Sequence, residues 1–243
     1  MDPIKAFQEE TLQRIKEQGQ SASLKKVADE FIVESVNSKY SYNFSWMGRP
    51  IIQYPQDMVA MQEIIWKVKP DLIIETGIAH GGSIIFYASL MELIGNGHVI
   101  GIDIDIREHN RREIEQHSMF KRITMVEGSS VSEEVLDRVK ALARGKSNIM
   151  VVLDSNHTHE HVLREMEMYS PLVTAGSYLV VFDTVVEDLP DGSIRDRPWD
   201  KGDNPKTAVY EFLGNHPEFQ VDKLINDKLL ISVSHDGYLV RTK

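Results

Sequence analysis

Cysteine is absent from the 243 residues, which removes disulfides, thiolate metal sites and a cysteine nucleophile together. That absence fits a reducing compartment. The polar start Met1-Asp2-Pro3-Ile4-Lys5 has no apolar signal core, so a cytoplasmic chain is expected. No apolar run reaches the ~20 residues needed to cross a bilayer, so no membrane span is expected either. Positive charge is in short supply, with 27 Lys and Arg against 37 Asp and Glu and a formal net charge of -10. Gripping a phosphate backbone needs clustered cations, which argues against a nucleic-acid partner but not against a small anionic ligand in a locally positive pocket. Internal repeats, low-complexity tracts and flexible linkers are also missing. What remains is ordinary for a globular protein, 42% hydrophobic and 26% charged. The length suits one sizeable α/β domain with an accessory segment and is short for two cores.

Residues 1–45 read as a helical extension, with Ile4, Phe7, Leu12 and Ile15, then Leu24, Val27, Phe31 and Ile32, near helical spacing. Residues 46–243 read as the main domain. Asp57 to Val68 carries a second helical pattern that stops before Pro70. Short apolar runs then begin at Leu72, Val99, Ile123, Ile149 and Tyr178, alternating with helical stretches Ser83–Ile94, His109–His117, Ser132–Ala143 and His159–Tyr169. Continuous apolar strands are expected where helices cover both faces of a parallel sheet. Asn204-Pro205 reads as a cap and first turn, with Gly214 as the stop. Gln220–Ile225, Leu229–Val233 and Tyr238–Val240 read as strands. Five βα units and a terminal antiparallel pair give a Rossmann-like α/β fold with a seven-stranded sheet of the methyltransferase layout.

The loop after the first of these strands runs Glu75-Thr76-Gly77-Ile78-Ala79-His80-Gly81-Gly82-Ser83, where an open α/β sheet binds its ligand. Its glycines allow a sharp turn and close approach to a ligand, although a βα turn without a ligand would use them too. Their spacing is not the G-x-G-x-x-G dinucleotide fingerprint. Glu75 would repel a pyrophosphate and would suit a ligand with an ammonium and a sulfonium. S-adenosylmethionine is such a ligand. Asp103, closing the second strand, can accept hydrogen bonds from both ribose hydroxyls, or cap a helix. Gly128, Ser129 and Ser130, closing the third, are small and polar enough to border an adenine ring.

Strand four ends at Asp154 and strand five at Phe182-Asp183-Thr184. Carboxylates from neighbouring strand ends could converge beside the transferred methyl group, and hard oxygen ligands suit Mg²⁺ or a similar ion. Such an ion could lower the pKa of an acceptor hydroxyl while a nearby base removes its proton. His157, three residues past Asp154, is the best candidate base. His159 and His161 read as solvated residues at a helix start, and no H-E-x-x-H zinc pattern occurs. The connection from Val185 to Asp203 is long for an α/β fold and holds Glu187, Asp188, Arg195, Arg197 and Trp199. An aromatic face among charged groups, Arg197 and Trp199 in particular, would suit a sugar. A solvated surface excursion is the other reading.

With these residues in place, the chain resembles the cephalosporin hydroxylase and rhamnosyl O-methyltransferase family from about Trp46 onward, and more distantly the catechol-type and macrolide-sugar O-methyltransferases. The stretches that carry the resemblance are Pro70 to Ser83, Leu153 to His157 and Val181 to Thr184. It implies that Glu75, Gly77, Gly81 and Ser83 hold the methionyl part of the cofactor and Asp103 its ribose. It further implies that Asp154 and Asp183 bind Mg²⁺ and that His157 is the base. The chain departs from the pattern in one place. Several relatives have Glu before the strand-five Asp, where this chain has Phe182, and catechol-type enzymes have Asn after it, where it has Thr184. Thr184 is thus the remaining candidate third ligand. Nothing resembles an oxygenase site of two histidines and a carboxylate.

The expected function is methylation of a sugar hydroxyl in surface polysaccharide or glycolipid synthesis, that substrate class resting on the resemblance. Methylation of another small molecule, such as an antibiotic, and a catalytically inactive cofactor-binding subunit are the alternatives. A nucleotide-dependent oxidoreductase is disfavoured by Glu75 and the glycine spacing. A homo-oligomer is expected, because similar enzymes associate and the N-terminal helices present apolar faces; packing of those helices on their own sheet, or as a lid over the site, is the alternative.

Overall fold

The computed structural model describes residues 2–194 and 197–243. Its amino-terminal part begins with two helices separated by one residue. Helix α1 (Pro3–Gln20) starts where Asp2 accepts from the Ile4 amide and proline occupies the first turn. Helix α2 (Ala22–Asn37) is capped by Ser21. The chain then makes a short hairpin, β1 (Phe44–Trp46) against β2 (Arg49–Ile51), which the apolar pattern did not announce. Helix α3 (Pro55–Val68) stops before Pro70, which cannot continue it, with Lys69 in the left-handed conformation.

The main sheet follows in alternating order: β3 (Leu72–Thr76), α4 (Gly82–Ile94), β4 (His98–Asp103), α5 (Glu108–Glu115), β5 (Ile123–Glu127), α6 (Glu133–Leu142), β6 (Ile149–Leu153), α7 (His159–Tyr169) and β7 (Tyr178–Val181). Helix α8 (Pro205–Asn215), strand β8 (Phe219–Val221), helix α9 (Lys223–Leu229) and strand β9 (Tyr238–Arg241) complete the chain. The seven strands lie in the order β5-β4-β3-β6-β7-β9-β8. Strands β3 to β7 pair in parallel, and β9 runs antiparallel between β7 and β8. This is the seven-stranded methyltransferase sheet anticipated from the element count.

Side chains alternate between the two faces, as the pleat requires. Ile73, Val99, Met150 and Val180 enter one core with α3, α4 and the hairpin. Leu72, Ile74, Ile100, Val151 and Leu179 enter the other with α6, α7 and α8. The chain winds outward from β3 to β5 and then returns to β6 on the other side of β3. The strand order therefore reverses between β3 and β6, where an open α/β sheet leaves a ligand crevice.

Three local expectations are corrected. Gln220–Ile225 is not a continuous strand: β8 ends at Val221 and α9 begins at Lys223. Leu229–Val233 is not a strand either. Leu230 adopts φ +58, and the Val233 amide donates to the buried carboxylate of Asp57 rather than to a sheet ladder. Gly214 lies inside α8, which ends at Asn215. Helix α1 is tied to α9, where Gln18 Nε2 donates to the carbonyls of Asp227 and Lys228 at 3.0 and 2.9 Å, and α2 buries Ile32 in the core and pairs the Ser35 and Tyr54 hydroxyls. No helix among the described residues is long and apolar enough to cross a membrane.

Candidate active site

The loop after β3 is braced from three sides. Asp103, at the end of β4, accepts from the amides of Ile78 at 2.8 Å and Ala79 at 3.1 Å. Arg49, on β2, donates twice to the His80 carbonyl and once to Asn110, whose own amide holds the Ala79 carbonyl. Gly77 has φ +92, and a Cβ there would sit 2.0 Å from the Asp154 carbonyl oxygen. Only glycine permits this close pass between the ends of β3 and β6. Beneath the loop Glu75 is fully buried. Ser83 Oγ donates to its Oε2 at 2.6 Å, while Oε1 has no hydrogen-bond partner among the described residues. Burial pushes the Glu75 carboxyl up to about 8, against the pull of Ser83 and Tyr87 and with a further push from Asp103.

A cleft of about 890 Å³ opens over the ends of β3, β6 and β7. Asp154, His157 and Asp183 meet on its wall, each offering a ligand atom within 4.8 Å of the others. His157 Nε2 lies 3.1 Å from Asp183 Oδ2. Asp183 itself is in the left-handed conformation, φ +56, which turns the chain sharply at the end of β7. Burial, reinforced by the neighbouring charges of Asp183 and Glu75, pushes the Asp154 carboxyl well above the ordinary range, and Gln53 pulls it back. Trp199 meets His157 edge-on, ring centroids 4.8 Å apart, and Arg197 covers the Trp199 ring at 5.4 Å. The opposite wall comes from the segment after α2, including Lys39 and Tyr42.

The sequence-derived candidates are thus brought together unevenly. Gly77, Ser83, Asp154, His157, Asp183, Arg197 and Trp199 all line the cleft. Glu75 lies beneath it, and Gly81 adjoins Gly82 at the start of α4. Asp103, Gly128, Ser129 and Ser130 are strung along the ends of β4 and β5, outside the cleft wall. Ser130 is nearly buried, its Oγ 3.2 Å from His161 Nε2. Thr184 is fully buried and donates its hydroxyl to the His235 carbonyl at 2.6 Å. Phe182 packs in the core edge-on to Tyr238.

His159 and His161 are not the solvated residues expected. His159 joins α7 to Thr207 and Glu211 of α8, and His161 reaches Ser130, Ser155 and the buried Glu165. Within the long connection, Glu187 accepts from the Gly202 amide and from Asn204, and Asp188 pairs with Lys206. These two carboxylates hold the connection in shape, leaving Arg197 and Trp199 for the cleft; Arg195 lies outside the described residues. Arg49 and Gln53 were missed. The only signal for Gln53 was a lone polar residue among Ile51, Ile52 and Tyr54 ahead of Pro55.

A structure of CmcI with Mg and SAM superimposes at a TM-score of 0.59, with 19% identity over 83% of this chain and 78% of that one. An apo CmcI structure gives 0.61 at 20% identity, over 83% and 77%. These likenesses establish the fold. A rhamnosyl O-methyltransferase of Mycobacterium leprae is 29% identical over 218 residues, 86% of this chain and 90% of that protein. One from Mycobacterium tuberculosis strain H37Rv is 31% identical over 166 residues, 65% and 66% of the two chains. The family model described as Rhamnosyl O-methyltransferase/CmcI matches residues 38–242, starting one residue beyond α2. The chain belongs to the rhamnosyl O-methyltransferase/CmcI family and is a S-adenosylmethionine-dependent O-methyltransferase.

Proposed function

We propose that this protein methylates a sugar hydroxyl, with His157 as base and Asp154 and Asp183 as ligands of a divalent ion. The observation that carries the reading is the convergence of these three side chains on a cleft walled by Trp199. The two carboxylates suit such an ion, since Asp154 and Asp183 offer hard oxygen donors where Asp154 is held among other negative groups. Mg²⁺ bound there would stabilise the acceptor alkoxide by its charge. Glu75, with its orphaned oxygen below the loop, suits the cofactor's ammonium. Gly77, Gly81 and Ser83 would line the methionyl part. Asp103 would hold the ribose beside its loop amides, and Gly128, Ser129 and Ser130 would border the base.

His157 Nε2 lies 3.1 Å from Asp183 Oδ2; with the ring proton on Nε2, facing Asp183, Nδ1 would keep a lone pair. His157 takes the hydroxyl proton there as the acceptor oxygen bonds to the methyl carbon and the carbon–sulfur bond breaks. Asp183 then stabilises the imidazolium. Trp199 offers a flat apolar face to the CH surface of a sugar ring, and Arg197 adds donors for its hydroxyls. The mycobacterial relatives named for rhamnosyl groups support a deoxysugar acceptor. Surface polysaccharide or glycolipid is the class of larger molecule that would carry it.

The test is methyl transfer from labelled cofactor to a panel of rhamnosides and non-sugar alcohols, read as methyl ether by mass spectrometry. Transfer to rhamnosides, abolished by EDTA and restored by Mg²⁺, is expected. His157→Ala should lower turnover by roughly 10²–10⁴-fold with cofactor affinity nearly unchanged. Full activity in chelator, with that variant also unaffected, would sink the mechanism. Light scattering is expected to report a homo-oligomer, because Ile4, Phe7 and Val27 are more than 60% exposed on α1 and α2.

A further inference from the structure

Gln53 sits between β2 and α3 and is 5% exposed. Its Nε2 donates to Asp154 Oδ2 at 3.2 Å, and the residue borders the same cleft as His157 and Asp183. Its Oε1 is buried without a hydrogen-bond partner among the described residues. Leaving a buried amide oxygen unsatisfied costs about 1–3 kcal/mol, so its presence calls for an explanation, of which a bound ion is one. The surroundings say which ligand. The end of β7 supplies one accessible oxygen-bearing side chain, because Phe182 has no oxygen to offer and Thr184 is engaged with the His235 carbonyl. Asp154 and Asp183 alone are a thin shell for a hard cation, which takes about six or more oxygens. An amide carbonyl is a suitable further donor.

Rotation of the terminal amide exchanges oxygen and nitrogen with almost no change in shape. The amide oxygen would then stand where Nε2 now faces the Asp154 carboxylate. Two oxygens hold that separation only when a cation or a proton lies between them. We propose that Gln53 is the third protein oxygen donor of the divalent-ion centre, steadying Asp154 through Nε2 when the ion is absent and turning Oε1 onto the ion when it binds. This rests on the reading of Asp154 and Asp183 as ion ligands.

The experiment measures Mn²⁺ binding to the full-length protein, by loss of the free-ion electron paramagnetic resonance signal. Three proteins are compared, the natural chain, Gln53→Met and Gln53→Glu. Methionine keeps the volume without the amide, and Mn²⁺ affinity should fall at least about tenfold, the scale for losing a group that supports a metal site. Glutamate keeps an oxygen and adds charge, so its affinity should equal or exceed that of the natural chain. Thermal melting without ion establishes that both variants are folded. A polar strut with no role toward the ion would move both affinities in the same direction or neither, and either result overturns the proposal. If the natural chain binds no Mn²⁺ at millimolar concentration, the ion-ligand reading itself falls and this inference with it.

Discussion

Glu75 holds one carboxylate oxygen on Ser83 and leaves the other bare, in a place water does not reach. With its folded value pushed up to about 8 from 4.5, the folded state keeps a proton that the unfolded chain releases. The stability it contributes is full below the unfolded value and is lost as pH rises through about 8. A cation at Oε1 reverses the preference by favouring the ionised form. If Glu75 holds the cofactor's ammonium, binding expels a proton, and affinity should weaken by up to about tenfold per unit of pH below about 8. Calorimetry between about pH 6.5 and 8.5 checks this, and Glu75→Gln should flatten the profile. An affinity independent of pH in the natural protein would place the ammonium elsewhere. Gly77 carries a different demand. Gly77→Ala combines a left-handed backbone with a clash on the Asp154 carbonyl, and should destabilise by more than about 2 kcal/mol, measured by thermal or denaturant unfolding.

Among the elements, α3 is pinned to the end of the sheet by Asp57 in its first turn. Asp57 is fully buried and accepts from Ser232 Oγ at 2.6 Å, Tyr238 hydroxyl at 2.7 Å and the Val233 amide at 2.9 Å. Burial pushes its carboxyl up, although all three donors pull it down. Removing it leaves three buried donors unsatisfied, so Asp57→Ala should lose about 3 kcal/mol or more. Denaturant unfolding measures the loss; a change below about 1 kcal/mol would mean that water replaces the carboxylate. This cluster also explains why Leu229–Val233 does not form the strand its apolar residues promised. A side chain distant in sequence satisfies the backbone donor that a ladder would otherwise use. The helices of the main sheet were readable within one or two residues, helped in places by a cap, Ser132 before α6 and Asn204-Pro205 before α8.

Taken as a whole, the molecule builds its cleft from segments far apart in the chain. The wall near Lys39 and Tyr42 follows α2, the floor belongs to the switch between β3 and β6, and Arg197 and Trp199 come from the connection after β7. Trp199 stands edge-on to His157, with Arg197 over its ring, and under the proposed function these two meet the acceptor. Trp199→Ala should therefore raise the Michaelis constant for the acceptor several-fold while leaving that for the cofactor near its natural value. Steady-state kinetics with each substrate varied in turn decides the matter, and equal changes in both would mean that the variant disturbs the fold. The Glu187 and Asp188 contacts that brace this connection do not involve the Trp199 side chain, so the comparison reads the ring itself.

The sheet, its helices and the ends of its strands were legible in the sequence because their signals are local. Five apolar runs, glycines at a turn, and Asp154 and Asp183 at strand ends each follow from a few adjacent residues. So was the nearness of Asp154 to His157, three positions apart in one loop. Tertiary structure alone decided what lay across the fold. It brought Gln53 to Asp154 over a separation of 101 residues and Asp57 to Ser232 over 175. It turned His161 inward to Ser130 and gave the Thr184 hydroxyl to a backbone carbonyl instead of the cleft. A polar side chain carries no mark of its partner in its own neighbourhood. Burial selects the partner, because once water is excluded the nearest complementary group must satisfy each donor and acceptor.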